Sequence, residues 1–281
     1  MLILKLFLTA STIVMLISVF LSVGFPSVNH SGDDDVEVIP INGGAVGPES
    51  FDFDPVDGIY PFTGVSDGRI IKWIESERRW TDFAVTSPHR DHVFVVLTGD
   101  KTGSLLKYNI GSKEVTVVLH NLTFPNGVAL SKDGNFLLVA ETTTCRILRL
   151  WLKTPKAGTL EVFTELPGYP DNIKINTNGE FWVGMYSRKK EILNWVHSYP
   201  WIETVLSKLP LTIVKASSYI IAKVGGEGLA AKLGADGDIL EILEDVNGKT
   251  WKYASEVMEK DGYLWIGSVE NPFAVKLKVQ E

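Results

Sequence analysis

Four oxygen-bearing side chains stand at matching places along the chain, each just after a proline. Glu49 follows Pro48, Asn126 follows Pro125, and Asp171 and Asn172 follow Pro170. Carboxylate and amide oxygens are hard donors, and a set of this kind suits Ca²⁺, or Mg²⁺ with waters retained. The same residue types also cap strand starts by bonding to nearby backbone, and the two roles are compatible. Other chemistries find less support. The five histidines, His30, His89, His92, His120 and His197, make no metal-ligand spacing. No Gly-x-Ser-x-Gly elbow, phosphate-binding loop or dinucleotide fingerprint occurs. Cys145 is the single cysteine, so no intrachain disulfide can form, and its place between two apolar runs reads as a buried structural thiol.

For residues so far apart to act together, the chain must bring its repeats to one place. Three segments are alike: one from Gly47, one from Phe124 and one from Tyr169. Each runs from a proline and a polar residue into a short β-rich run. An Asp-Gly or Asn-Gly turn, a second run, a polar turn and a third run follow. A partial fourth copy begins at Glu256. Asp or Asn before Gly supplies the positive φ angles of a tight hairpin. The flanking runs, such as 136–140 and 263–267, are branched or aromatic and short. Small antiparallel sheets of this kind cannot bury both faces alone, but arranged radially each covers its neighbour. The expected fold is all-β, a β-propeller, whose strand starts converge on a central channel. Four to five sheets can be counted. Segment 192–211 is expected to form a helix or long loop over one face.

The N-terminus carries a targeting signal. Lys5 precedes an uncharged, mainly apolar run from Leu6 to Phe25. Residues 1–25 are expected to be a signal peptide or a retained signal anchor, 26–36 a flexible segment, and 37–281 the propeller domain. This directs the chain into the secretory pathway: the endoplasmic reticulum lumen, the vacuole or the exterior. Two glycosylation sequons, at Asn29 and Asn121, fit that route. The net charge of -7 without basic blocks disfavours nucleic acid as a partner. The expected partner is a small molecule in the channel, and membrane contact would come only through an uncleaved N-terminal segment.

Several pieces in order, GAVGPESFDFDP, DKTGSLLKYN, FPNGVALSKDGNFLLVAETTTCRILRLWL, PGYPDNIKINTNGEFWVG and EKDGYLWIGSV, give the chain a resemblance to a known family. It resembles the plant strictosidine synthase-like family, within the six-bladed propeller group that includes gluconolactonases and paraoxonase-type arylesterases. The resemblance covers nearly everything after about residue 36. It also implies an internal deletion after about residue 91: relatives carry a further stretch there, with a cysteine pair, and one to two blades would be lacking. By resemblance, Glu49, Asn126, Asp171 and Asn172 match residues that hold a catalytic divalent metal in the hydrolases of the group, where lactones or esters are polarised by the ion. The synthase itself condenses an amine with an aldehyde, using a glutamate in the last blade. Ser255 stands at that position here, with Glu256 one residue later. A slip of one residue in a strand turns a side chain to the opposite face unless a bulge intervenes. Three functions therefore stand open: a metal-dependent hydrolase of small esters or lactones, an alkaloid-type condensing enzyme, and a propeller without catalysis that serves as a binding or structural domain.

Overall fold

The computed structural model describes residues 36–41, 47–48, 51–53, 61–65, 69–85, 99, 101–109, 114–190, 198–206, 208, 227–245 and 248–279. The leader expected over 1–25 lies outside them. So do Glu49, Asn29, the junction after residue 91, and four of the five histidines.

The described chain divides into two compact units. The larger is built from Val28–Arg90, Asn126–Arg188 and Glu227–Glu281. It holds four antiparallel sheets of four strands each. The first runs β2 (Phe51–Phe53), β3 (Pro61–Gly64), β4 (Arg69–Ile74) and β5 (Arg79–Val85). The second is β8 (Pro125–Leu130), β9 (Phe136–Glu141), β10 (Arg146–Trp151) and β11 (Leu160–Glu165). The third is β12 (Gly168–Ile175), β13 (Phe181–Arg188), β14 (Gly228–Leu233) and β15 (Ile239–Asp245). The last is β16 (Ala254–Lys260), β17 (Tyr263–Ser268) and β18 (Phe273–Lys278), completed by the N-terminal strand β1 (Val36–Pro40), which pairs antiparallel with β18.

The turn chemistry read from sequence produces these hairpins. Gly134, Gly179 and Gly262 have φ of 66°, 88° and 79°. Asp261 also has positive φ, so the tight β16–β17 turn needs left-handed backbone at both central residues, which Asp-Gly supplies at low cost.

Three apolar layers join the sheets in series. Phe51, Trp73, Trp80 and Trp265 lie between the first and last sheets. Trp182, Trp251, Val257 and Ile266 lie between the last and third. Phe136, Phe163, Phe181 and Met185 lie between the third and second. Each fully buried large side chain contributes on the order of 1.5–3 kcal/mol. Period-2 alternation sends successive residues of one strand into different layers: Phe181 and Val183 into one, Trp182 into the next.

The smaller unit contains Asp91–Pro125 and Lys189–Gly226. Its described elements are the two-stranded sheet of β6 (Gly103–Asn109) and β7 (Glu114–Leu122), and the helix α1 (Pro200–Leu206). The helix falls inside the segment expected to be a helix or loop. Its Ile202 is buried, while Tyr199 just before it and Trp201 within it are exposed.

Candidate functional site

Strands β2, β8, β12 and β16 open their repeats and form one edge of each four-stranded sheet. Two glycines let these edges approach closely. A Cβ at residue 127 would stand 2.5 Å from the Asn172 Cα and the Ile173 nitrogen, and 2.6 Å from the Asp171 carbonyl oxygen. The β8 backbone thus lies directly on β12 at Asp171–Ile173, with Asn126 the neighbouring residue on β8. A Cβ at residue 184 on β13 would stand 2.7 Å from the Glu256 nitrogen and the Ser255 carbonyl carbon. Neither glycine has positive φ, so lack of a Cβ, rather than conformational freedom, is what each position uses.

Asn126, Asp171 and Asn172, three of the four residues expected to hold a cation, therefore lie along this backbone contact between β8 and β12. Asp171 is buried, and Asn126 and Asn172 are half-buried. The Thr142 hydroxyl donates to the Pro170 carbonyl at 2.6 Å and ties the β9–β10 turn to this point. Glu49 lies outside the described residues, but its neighbour Pro48 accepts a 2.7 Å hydrogen bond from the Ser268 N–H at the end of β17. Among the described residues no three His, Cys, Asp or Glu side chains cluster as metal ligands. The donors in view are one carboxylate and two amides.

The last sheet departs from simple alternation. Ala254 pairs with Ser268 and Glu256 with Gly267, so Ser255 is the extra residue of a β-bulge. Both Ser255 and Glu256 are fully buried. Glu256 Oε1 accepts the Phe51 N–H of β2 at 2.5 Å, and Oε2 lies 3.5 Å from Lys174 Nζ on β12. The exception allowed for in the one-residue-slip argument is thus the arrangement present. One carboxylate touches the leading strands of two other sheets. The part played by Lys174 was not foreseen; its place three residues after Asp171 on the same strand was the available signal.

A second group was also missed. Tyr186 near the end of β13 stacks on Tyr253 just before β16, with centroids 5.0 Å apart. The Tyr186 hydroxyl donates to the Glu270 carboxylate. Burial first, and then the negative charge of Glu270, pushes both phenols above the ordinary tyrosine value. Beside them Arg188 pairs with Glu244 and lies 3.7 Å from Glu227. In the β9–β10 turn, buried Glu141 pairs with Arg146 at 2.6 Å, and Cys145 is buried as expected. Asn121 is exposed at the end of β7 with φ of 58°, while Leu122 and Thr123 are buried. His120 is exposed.

Comparison with known proteins gives this arrangement its context. The family profile described as "Strictosidine synthase" matches residues 77–155, and "Strictosidine synthase-like, N-terminal" matches residues 34–73. Protein STRICTOSIDINE SYNTHASE-LIKE 10 of Arabidopsis thaliana is 37% identical over 338 residues, covering 88% of this chain and 90% of that protein. Protein STRICTOSIDINE SYNTHASE-LIKE 2 of the same plant is 34% identical over 378 residues, covering 98% of this chain and all of that protein. These 378 aligned positions exceed the chain's 281 residues while both proteins are spanned almost end to end, so the relative has internal stretches without counterpart here. Among solved structures, the calcium-binding protein regucalcin from Agrobacterium tumefaciens superposes with a TM-score of 0.55 at 15% identity, covering 85% of this chain and 91% of that one. That likeness shows the propeller-type fold, of which the described residues here form five sheets. The chain belongs to the strictosidine synthase-like family.

Proposed function

We propose that this protein is a divalent-cation-dependent hydrolase of small esters or lactones, acting where the leading strands meet. The observation that supports this reading is the seating of Gly127 on Asp171–Ile173, which brings the backbone beside Asn126 against that of Asp171 and Asn172, three residues with oxygen-bearing side chains. A hard cation fits such a set. Ca²⁺ takes about six to eight oxygens, so three protein donors leave positions for water and substrate. Glu49 would add a second carboxylate. The regucalcin of like fold is a calcium-binding protein, which makes calcium the first ion to test, with magnesium second.

Such a cation, when bound, polarises a carbonyl and makes bound water a better nucleophile. The chain's own residues do the rest. The buried Asp171 would supply the fixed negative charge, and the Asn126 and Asn172 amides would supply neutral oxygens to hold the ion. Ser255, at the position of the synthase glutamate, has no acid–base side chain, and the adjacent Glu256, which the bulge re-aims, is engaged by the Phe51 N–H and Lys174, so the condensing alternative draws little support there.

The test is calorimetric titration of the folded, mature chain with CaCl₂ and MgCl₂. One bound ion, lost in Asp171→Ala while circular dichroism is unchanged, supports the reading and directs a screen of small lactones and esters. A folded chain that binds neither ion overturns it. A second reading, a propeller that serves as a binding or structural domain without catalysis, is favoured by the relative's internal stretches that this chain lacks. It predicts that no lactone or ester is turned over even where an ion binds. In either case we place the protein in the secretory pathway, in keeping with its apolar N-terminal run and the exposed sequon at Asn121.

A further inference from the structure

Glu256 is a charged side chain with almost no access to solvent; only 1% of it is exposed. An isolated buried carboxylate is costly, and it persists where its partners are fixed. Its partners come from two other sheets. Phe51 belongs to the first sheet, and its N–H points at Oε1. Lys174 belongs to the third sheet, and its ammonium lies near Oε2, with 30% of the side chain exposed. Glu256 itself is re-aimed by the Ser255 bulge, where the Gly184 backbone presses on the Ser255–Glu256 peptide. Three leading strands therefore meet at one carboxylate: the start of β2, the bulge of β16 and the middle of β12. With one oxygen accepting a backbone N–H and the other facing an ammonium, Glu256 is ill placed to shuttle protons. It is well placed to hold strands.

We propose that Glu256 is a positioning residue that locks β12 and β2 onto β16 and thereby sets the geometry of the oxygen donors on β12. Lys174 is two residues from Asn172 and three from Asp171 on that strand, so the Glu256–Lys174 contact fixes the segment that carries both. The proposal rests on the cation-site reading for its functional consequence, but the latch itself can be tested separately.

The experiment compares wild type, Glu256→Ala, Glu256→Gln, Lys174→Met and Asp171→Ala, using calcium titration per folded chain and hydrogen exchange of the Phe51 amide. Glu256→Ala should weaken calcium binding by about tenfold or more, in the range seen when a group that orients a ligand is removed. It should also speed exchange of the Phe51 amide. Glu256→Gln keeps an oxygen for the Phe51 N–H but loses the charge that faces Lys174, so it should restore amide protection and only part of the affinity. Equal loss of binding in Gln and Ala that Lys174→Met does not reproduce would mean that the carboxylate itself ligates the ion, and would overturn a positioning role. Unchanged calcium affinity in folded Glu256→Ala, with only a lower melting temperature, would overturn it as well. If wild type binds no ion, the hydrolase reading fails; the latch then stands or falls on the Phe51 amide, and unchanged protection in Glu256→Ala would sink it.

Discussion

At the scale of single residues, the clearest electrostatic signature is the Tyr186–Tyr253–Glu270 group. Desolvation and the Glu270 carboxylate both raise the phenol pKa values. The folded chain therefore keeps protons that the unfolded chain releases near pH 10, the ordinary tyrosine value. The stability from this effect is fully present below about pH 10 and is lost as pH rises toward the folded value. Tyr186→Phe removes the ionisable group together with its hydrogen bond. Melting curves at about pH 8 and about pH 11 should show wild type the more stable at the lower pH, with the gap shrinking or reversing at the higher. A gap independent of pH would mean that the phenol does not titrate differently on folding. Asn121 makes a second prediction at this scale. Its side chain is exposed at the end of β7. Expressed through a secretory pathway, the protein should run faster after enzymatic deglycosylation, and Asn121→Gln should lose that shift.

At the scale of elements, the fold depends on how closely the leading strands approach. Gly184→Ala would set a methyl 2.7 Å from the Ser255–Glu256 peptide, and Gly127→Ala would set one 2.5 Å from β12. Both contacts are to backbone, which cannot swing aside. Each substitution should cost about 1–3 kcal/mol or more in urea unfolding, the usual range for overpacking. A cost under about 0.5 kcal/mol, typical of surface positions, would show that the strands can separate. These glycines also mark where the sequence was legible and where it was not. The Asp-Gly and Asn-Gly turns announced their hairpins, because positive φ has a compositional price that few residues meet. The repeats gave the sheets, and the backbone after Pro125 lies against that after Pro170. The Ser255 bulge left no such mark, since an inserted residue in a strand changes register without changing composition. The nearest hint was Gly184 inside the apolar run 181–186, because a glycine in a strand interior signals close approach. The Glu256–Lys174 and Tyr186–Glu270 partnerships depend on inter-sheet distances that no local pattern encodes.

At the scale of the whole molecule, the four-stranded sheets contrast with β6–β7. Among the described residues this pair stands as two strands, with Leu106 57% and Val117 42% exposed. A two-stranded sheet with open apolar faces is weakly held. Amides of β6 and β7 should therefore exchange with solvent well before those of β13 and β17, whose side chains are buried on both faces. Equal protection across both groups would show that the pair is covered in solution.

The pairing of β1 with β18 has a consequence in time. Val38 sits opposite Val275, so two strands from the extremes of the described chain share one ladder. On a ribosome the first can only wait, its edge unsatisfied, until residues 273–278 have been made. The last sheet cannot form before then, and neither can the Glu256 carboxylate find its place among its partners. Closing so long a loop is entropically expensive and slow. The final folding step and the assembly of the candidate site would then be the same event, and a nascent chain released short of residues 273–278 would have neither.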